Sequence, residues 1–464
     1  MAEKQRRLVV VSNRVGPLKD EGKAGGLAVG LADALRRRGG LWFGWSGETS
    51  EDGTDSPEQT EIYDHTAMTT IDMTEEELDG FYLGYANRSL WPLLHYRLDL
   101  AEFDDQSDRI YRRVNRRFAE RLSALVDDED LVWIHDYHFF YFGDELRRCG
   151  FKGRIGFFLH IPFCPPEVFS ALPSSHDLVK AMLAYDVIGF QTETDRRNFC
   201  AFCVHELGGE ELDGGRVRVG DRTTIAAAIP IGIDAEGFAR FALSAEAVEH
   251  EEMVRDISRH RHQIVGVDRM DYSKGLVQRM KGFERLLENH PGERGNVQFL
   301  QVAPLSRSEL NAYAELRDEL EQLAGRINGR FARLDWTPIQ IMTRGFTRRA
   351  LAGIYRAARV CMVTPLRDGM NLVAKEYVAA QNPDDPGVLI LSRFAGARAE
   401  LEDALIVNPF STDEIAEALE TALTMPLEER QRRWERMRER VFTGTAEAWC
   451  NEFLDLLESV PDAA

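Results

Sequence analysis

The sequence has no apolar run long enough to cross a membrane, and it contains little cysteine. Its first apolar stretch, Leu8 to Val11, is too short for either a signal-peptide core or a membrane span. The six cysteines are scattered over 464 residues, a distribution typical of reduced thiols rather than of a disulfide framework. These absences predict a cytoplasmic protein without a membrane partner.

The chain also lacks an excess of positive charge. Its 57 Lys and Arg residues face 77 Asp and Glu residues, which gives a formal net charge of -20. Such a balance argues against binding to nucleic acid or to an anionic membrane, although a local basic pocket can still hold a phosphate. Nucleic acid is therefore not an expected partner.

Metal-ligand spacing is scarce as well. Cys200 and Cys203 are three residues apart with His205 close by, but no second cysteine pair follows. Two cysteines at this spacing on a helix are more often buried side chains than zinc ligands. We expect no metal site, and the role of the two cysteines stays open.

The chain is rich instead in short apolar runs that alternate with helix-type segments. At 464 residues it is too long for a single core. Strand-type runs begin at Leu8, Leu131, Arg154 and Gln263, and helix-type segments separate them. This alternation predicts an α/β fold with two Rossmann-like, doubly wound parallel-sheet domains that face each other across a cleft.

The same pattern suggests where the domains begin and end. We assign residues 1–235 to an N-terminal domain, residues 236–445 to a C-terminal domain, and residues 446–464 to a helix that packs back on the N-terminal domain. The acidic, turn-rich residues 44–77 are interpreted as surface loops.

The most informative stretch runs from Val363 to Glu376. An apolar run ends at Pro365, and a polar loop leads to a helix-type segment at Leu372, which Asn371 is expected to cap. Strand, loop and helix in this order place the loop at the carboxyl edge of a parallel sheet, beside free N–H groups at the helix start. Such an edge binds anions and polar ligands, although an ordinary strand-to-helix turn has the same pattern.

A second loop carries the strongest sign of anion binding. Arg269 and Lys274 are five positions apart, next to Gly275 and the start of a helix-type segment. This arrangement suits a diphosphate, because the guanidinium binds oxygens in pairs and the ammonium adds a point charge. The alternative is that Arg269 and Lys274 are two solvated basic residues on a turn. Arg307, which follows another strand, is a further candidate for a phosphate contact.

Polar residues also follow strands in the first half of the chain. Arg14, Asp136 and His160 each come just after a strand-type run, where ligands of open parallel sheets bind. The aromatic cluster from Phe81 to Trp91 is either core or a sugar-stacking wall. The pair Gly25-Gly26 is a weak phosphate signal, since it lacks the full dinucleotide fingerprint.

These motifs, taken in chain order, resemble those of one family. They are Val-Ser-Asn-Arg14, Ala-Gly-Gly26-Leu, Trp-Ser-Gly47, Leu-Trp91-Pro, His-Tyr-Arg97, Trp-Ile-His-Asp136, Phe-Leu-His160-Ile-Pro-Phe, Asp-Arg269-Met-Asp-Tyr-Ser-Lys274-Gly and the stretch from Val363 to Glu376. Together they resemble the trehalose-6-phosphate synthase family over nearly the whole chain. The resemblance implies a GT-B architecture, with an N-terminal acceptor-binding domain, a C-terminal nucleotide-sugar-binding domain and no required metal or cofactor.

The resemblance also implies the reaction and its acceptor site. Glucose would pass from a nucleotide sugar, usually UDP-glucose, to glucose 6-phosphate with retention at the anomeric carbon. The leaving diphosphate would itself take the acceptor proton in a front-face substitution. The acceptor would be bound by Arg14, Tyr82, Trp91, Asp136 and Arg307, with Arg14 and Arg307 on its phosphate.

The donor and catalytic residues are implied in the same way. Gly25 and Gly26 would approach the diphosphate, while Arg269 and Lys274 would neutralise it as it leaves. His160 and Asp368 would bind the transferred glucose, which completes a catalytic set with Arg269 and Lys274. The other donor-binding residues would be Phe346 at the base, Glu376 at the ribose, and Leu372, Val373, Ala374 and Lys375 around the helix start.

Several alternatives stay open at this point. Glucosylglycerol-phosphate synthases and pseudo-glycosyltransferases share much of this pattern, and a sugar-phosphate sensor could bind without turnover. An NAD-dependent oxidoreductase would also have Rossmann-like halves, but the sequence lacks its Gly-x-Gly-x-x-Gly turn. The nucleotide base (UDP, GDP or ADP), regulation, and the oligomeric state, a homo-oligomer included, are not decided by the sequence.

Overall fold

The structure is a computed structural model that describes residues 6–16, 31, 35, 38–50, 57–307 and 309–461. The described chain forms two compact units. The N-terminal unit contains the described residues up to Pro230 and those from Trp449 onward, and the C-terminal unit contains Ile231–Ala448.

The N-terminal unit is built on a ten-stranded sheet of order β3-β4-β2-β1-β5-β6-β7-β10-β9-β8. Its middle strands are parallel, while β3 and the pair β8 and β9 run antiparallel to their neighbours at the two edges. The strands are β1 Leu8–Arg14, β2 Gly40–Thr49, β3 Gln59–Tyr63, β4 Thr66–Met73, β5 Leu131–His135, β6 Arg154–Phe158, β7 Val187–Phe190, β8 Glu210–Leu212, β9 Arg216–Val219 and β10 Arg222–Ala228.

The central strands form the core of this unit. All five residues of β5 are buried, as expected for a parallel strand that is covered by helices on both faces. The helices are α1 Glu75–Glu77, the π-helix Leu78–Leu90, α2 Trp91–Leu94, α3 Asp105–Ser123, α4 Phe142–Arg148, α5 Pro166–Phe169, α6 Ser175–Met182 and α7 Glu193–His205.

Residues 44–50 and 57–77 are not the surface loops that the acidic composition of this segment predicts. They contain the end of β2, all of β3 and β4, and α1. In β4 the buried residues include Thr66, Thr69, Ile71 and Met73, so the strand covers part of the core. The prediction was wrong because it rested on the acidic composition of the segment. The β-branched Thr and Ile residues, by contrast, fit a half-buried pleated surface.

The C-terminal unit has a six-stranded parallel sheet of order β13-β12-β11-β14-β15-β16. The strands are β11 His262–Val267, β12 Val297–Val302, β13 Ile339–Met342, β14 Val360–Val363, β15 Val388–Ser392 and β16 Leu405–Val407. The helices are α8 Ala235–Phe241, α9 Ala245–Ser258, α10 Leu276–Asn289, α11 Asn311–Phe331, α12 Arg348–Ala357, α13 Leu372–Ala380, α14 Thr412–Thr424 and α15 Leu427–Thr443. The α/β class with two parallel-sheet domains is confirmed.

The last helix, α16 Ala446–Ser459, packs two apolar side chains, Phe453 and Leu457, into the N-terminal unit. The Phe453 ring stacks on Trp133 at a centroid distance of 4.6 Å. A Cβ atom on Gly156 would lie 2.6 Å from the same ring, so the small residue in β6 makes room for the helix. Leu457 lies against that glycine too and is fully buried.

None of the helices in the described part of the chain combines the length and the apolar character that crossing a membrane requires. All six cysteines are free thiols, and five of them are buried. Burial raises the pKa of Cys200 to about 11 and raises that of Cys203 as well, so both thiols are protonated packing residues of α7 at neutral pH.

Candidate active site

In the N-terminal unit the strand order reverses between β1 and β5. The chain proceeds from β1 to β2 and β4 on one side, and from β5 to β6 and β7 on the other. Ligands of doubly wound sheets bind beyond the carboxyl ends of the strands at such a switch point. Arg14 is the last residue of β1 and Asp136 follows the last residue of β5, so two of the predicted acceptor residues lie at this position.

Arg14 is exposed, and its guanidinium lies against Gly47. A Cβ atom on Gly47 would be 2.5 Å from a terminal nitrogen of Arg14. Gly47 also has a φ of +96°, a conformation that side chains rarely adopt. Glycine at this position therefore gives the guanidinium its space.

Asp136 connects the ends of β5 and β6. Its φ is 75°, which is unusual for a residue other than glycine and marks local strain. The Asp136 N–H donates to the Phe158 carbonyl at 2.8 Å, and its carboxylate accepts the backbone N–H of His160 at 3.3 Å. These two hydrogen bonds hold Asp136, after β5, next to His160, after β6, and both are predicted site residues.

His160 is a neutral imidazole at physiological pH. Its Nε2 lies 3.1 Å from Nδ1 of the buried His135, and its Nδ1 lies 3.4 Å from Nε2 of Gln191. Burial lowers the pKa of His160 to about 3, and it lowers the pKa of His135 well below its ordinary value, with the neighbouring His160 as a second cause. An uncharged ring that exchanges hydrogen bonds suits a sugar hydroxyl better than a phosphate.

The aromatic cluster divides between the two readings considered for it. Trp91 is 4% exposed and packs on His95 and Tyr137, so most of its ring belongs to the core and only a small part of its surface is left for a ligand. Tyr82 is half-buried, and its ring stacks on His138 at a centroid distance of 5.9 Å. Tyr82 also lies within the π-helix Leu78–Leu90, a rare conformation that is often found at functional sites.

The C-terminal unit has its own switch point, between β11 and β14. The chain runs from β11 to β12 and β13 on one side, and from β14 to β15 and β16 on the other. The loop after β11 carries Arg269 and Lys274, and the loop after β14 carries Asp368. These are the two loops for which the sequence predicts anion binding, and they follow strands that are neighbours in the sheet.

A buried carboxylate organises the cations after β11. Asp271 is 0% exposed and accepts hydrogen bonds from the Ser273 N–H at 2.9 Å and from Arg269 at 3.4 Å. The Tyr313 hydroxyl donates to Asp271 at 3.2 Å and accepts from Arg307 at 2.9 Å. One carboxylate thus positions Arg269 directly and Arg307 through a tyrosine.

Lys274 is held on the neighbouring loop. Its ammonium lies 2.6 Å from the Asp368 carboxylate, and both side chains are largely buried. Asn371 donates to the same Asp368 oxygen at 3.0 Å. This contact corrects the expected capping role, because the Asn371 side chain makes no hydrogen bond to the helix start and its φ is 76°.

Gly275 lets these two loops approach each other. It has a φ of +66°, and a Cβ atom there would clash with the carbonyl oxygen of Thr364, the residue that follows β14. The Leu366 N–H donates to the Ser273 carbonyl at 2.7 Å across the same gap. The helices α10 and α13 begin directly after these loops, and the first N–H groups of any α-helix have no acceptor within the helix.

The predicted donor-binding residues at the start of α13 differ in their burial and in their side-chain contacts. Leu372 and Val373 are half-buried and Ala374 is buried. The Lys375 ammonium is turned into the protein, where it lies 2.6 Å from Glu400 and 2.8 Å from the Ile231 carbonyl oxygen. Only the backbone of Lys375 can therefore contact a ligand at the helix start, because its side chain points into the protein.

Glu376 is half-buried and carries an unusual pKa. Burial raises the pKa of its carboxyl to about 7, against the opposing effect of the Arg348 charge. Phe346 is also half-buried, and the Arg344 guanidinium lies 5.1 Å from the centre of its ring. Gly25 and Gly26 lie outside the described residues.

Sequence reasoning missed three residues that position this site: Asp271, Tyr313 and the side chain of Asn371. Asp271 belongs to a motif that was noticed, but its burial depends on how the loop folds. Tyr313 gives no local signal, because an apolar-faced helix explains it equally well.

The sequence as a whole matches the model of glycosyltransferase family 20 over residues 6–459. The chain belongs to this family. The trehalose-6-phosphate synthase of Sodalis glossinidius (strain morsitans) is 46% identical over 461 residues, which are 99% of this chain and 97% of that protein. The family resemblance read from the motifs is confirmed, and membership sets aside the oxidoreductase alternative.

Solved structures of the family show the same fold. The UDP-forming α,α-trehalose-phosphate synthase from Burkholderia xenovorans in complex with glucose-6-phosphate has a TM-score of 0.94 at 46% identity, over 98% of this chain and 100% of that chain. The E. coli protein bound with UDP-2-fluoro glucose has a TM-score of 0.95 at 43% identity, also over 98% and 100%.

Proposed function

We propose that the protein is a retaining glycosyltransferase that transfers glucose from UDP-glucose to glucose 6-phosphate and releases α,α-trehalose 6-phosphate and UDP. Family membership and the names of its relatives support the reaction class. The observation that carries the proposal for this chain is the group of cations around Asp271 and Asp368. Arg269, Lys274 and Arg307 are each held by a hydrogen bond or an ion pair.

The proposed chemistry needs positive charge where the leaving group develops negative charge. When the bond to the anomeric carbon breaks, its electrons move to the diphosphate, which also takes the proton of the acceptor hydroxyl. Arg269 and Lys274 stabilise that charge, together with the N–H groups at the start of α13 beside Leu372 and Val373. Fixed groups cost little reorganisation in the transition state, and their partners Asp271 and Asp368 fix them.

The remaining roles follow the family pattern. Arg14 and Arg307 bind the acceptor phosphate, and Tyr82, Trp91 and Asp136 bind its sugar. The neutral His160 and Asp368 exchange hydrogen bonds with the transferred glucose. The donor's other contacts are Glu376 at the ribose, Phe346 at the base, the backbone of Ala374 and Lys375, and Gly25 with Gly26 at the diphosphate. The cytoplasmic location also stays a prediction.

The test is an assay of the purified protein with glucose 6-phosphate and a panel of UDP-, GDP- and ADP-glucose. We expect release of the nucleoside diphosphate without added metal and an α,α-linked disaccharide phosphate by NMR. Failure with every nucleotide glucose would refute the assignment. Glycerol 3-phosphate as a second acceptor tests the glucosylglycerol-phosphate alternative, and binding without turnover would instead indicate a sensor.

A further inference from the structure

A basic cavity lies in the C-terminal unit, at the amino ends of the strands of its sheet. It has a volume of about 250 Å³ and is bounded by His262 at the start of β11, Arg359 just before β14 and Gly387 just before β15. The proposed catalytic loops follow the carboxyl ends of β11 and β14, about six residues or 20 Å away along β11. This cavity is therefore separate from the catalytic loops.

The cavity has more positive charge than its neighbours neutralise. Its lining contains five arginines and a single carboxylate; these residues are Arg255, Arg261, Arg356, Arg359, Arg430 and Asp385. Within the described residues, Glu251 pairs with Arg255 and Arg356, Asp335 pairs with Arg261, and Asp385 pairs with Arg359 and Arg430. Five guanidinium groups thus share three carboxylates, which leaves an excess of two positive charges in a chain whose net charge is -20.

The excess is concentrated on Arg359 and Arg430. Arg430 is 5% exposed, and its Nη1 donates to Asp385 at 2.6 Å and to the Pro386 carbonyl at 2.5 Å. Its Nε is buried and has no hydrogen-bond partner among the described residues. Arg359 has its nearest carboxylate oxygen, again on Asp385, at 3.5 Å. A single carboxylate, itself 62% exposed, therefore serves two guanidinium groups.

This arrangement brings two like charges together where both side chains are largely buried. Burial lowers the pKa of the Arg359 guanidinium, and the neighbouring charge of Arg430 lowers it further. Burial lowers the pKa of His262, and the charges of Arg359 and Arg430 lower it further. Buried charges are normally paired, and an unpaired one destabilises the fold. A bound anion would remove this repulsion.

We propose that this cavity binds a small dianion, either inorganic phosphate or a small phosphomonoester, through Arg359 and Arg430. Two guanidinium forks suit the oxygens of one phosphate group, and a phosphate near neutral pH carries close to the two negative charges that the cavity lacks. At about 250 Å³ the cavity is smaller than most drug-sized ligand sites, so a nucleotide sugar does not fit. The site does not depend on the reaction proposed above.

The proposal is tested by calorimetric titration of inorganic phosphate and, separately, of methyl phosphate into the full-length protein. The titrations are repeated with Arg269→Gln, which removes a cation of the proposed catalytic site, and with Arg359→Gln. For the phosphate site in this cavity we expect a dissociation constant that is unchanged by Arg269→Gln and weakened at least about tenfold by Arg359→Gln. Arg240→Gln, an exposed arginine of the same unit, is the matched control and should change nothing.

A variant with the opposite sign guards against a trivial loss of folding. Asp385→Asn removes the one carboxylate that the described residues contribute to the cavity lining, so we expect phosphate to bind more tightly although the protein becomes less stable. The relative affinity of the two probes decides between a free phosphate and a monoester. No binding to the wild type up to about 10 mM, or equal affinity in wild type and Arg359→Gln, would overturn the proposal.

Discussion

The Tyr313 hydroxyl joins Arg307 to the buried carboxylate of Asp271. It accepts from the arginine at 2.9 Å and donates to the carboxylate at 3.2 Å, while Asp271 also binds Arg269. Two cations with different proposed ligands, the acceptor phosphate and the donor diphosphate, are therefore positioned by one buried anion. Such a network is costly to interrupt, because a buried group that loses its partner keeps the desolvation penalty.

Tyr313→Phe removes the connection and leaves the ring in place. We expect kcat/KM to fall about tenfold, mainly through a higher KM for glucose 6-phosphate, since Arg307 loses its hydrogen bond to Tyr313 while Arg269 keeps its direct contact with Asp271. Steady-state kinetics with each substrate varied measures the effect.

Tyr185→Phe is the control for the loss of a buried tyrosine hydroxyl. Its hydroxyl donates to the Phe139 carbonyl in the N-terminal unit, far along the chain from Asp271. We expect a lower melting temperature without a change in KM. If both variants raise KM equally, the positioning role of Tyr313 is wrong.

Arg269→Ala and Lys274→Ala should reduce turnover much more than acceptor binding. Each removes a cation that stabilises the leaving diphosphate, and losing one such group typically costs about 10²–10³ in kcat. Single-turnover rates and glucose 6-phosphate binding, measured separately, check this expectation. Equal losses in the two quantities would argue against a leaving-group role.

The sequence predicted that several candidate site residues follow strand ends, but not which contacts hold them. Arg14, Asp136 and Asp368 could be found because polar residues follow apolar runs and a parallel sheet gathers such ends. The contact between the Asn371 side chain and Asp368 could not be predicted, because Asn commonly caps helices. The side chain points to Asp368 in a backbone conformation, with a φ of 76°, that the residue type does not reveal. Likewise, nothing in the residue type shows that Lys375 forms a buried pair with Glu400.

Glu376 predicts a pH dependence that separates binding from stability. If its carboxylate accepts the ribose hydroxyls, donor affinity should increase as the pH rises through about 7, the raised pKa of this carboxyl. Glu376→Gln should flatten the profile. Isothermal titration with UDP between pH 5.5 and 8.5 measures it, and an unchanged slope in the variant would exclude Glu376 as its source.

The stability effect of the same residue has the opposite direction. Because the folded-state pKa is raised above the ordinary value near 4.5, protonation favours the folded state. That contribution is complete at low pH and is lost as the pH rises through about 7. Glu376→Gln resembles the protonated form, so its melting temperature should exceed that of the wild type by more at pH 8 than at pH 5.5.

Gly47→Ala should weaken the acceptor site through Arg14. The new Cβ would lie 2.5 Å from the guanidinium, which must move, and we expect the KM for glucose 6-phosphate to rise about tenfold or more while the donor KM changes little. The backbone strain at a φ of +96° complicates a single variant. Gly150→Ala is a matched control, because Gly150 has a φ of +98° and nothing within 4 Å of its Cβ position. Both variants should lose similar stability, so a KM effect confined to Gly47→Ala isolates the contact with Arg14, whereas a KM rise in both would attribute the effect to strain alone.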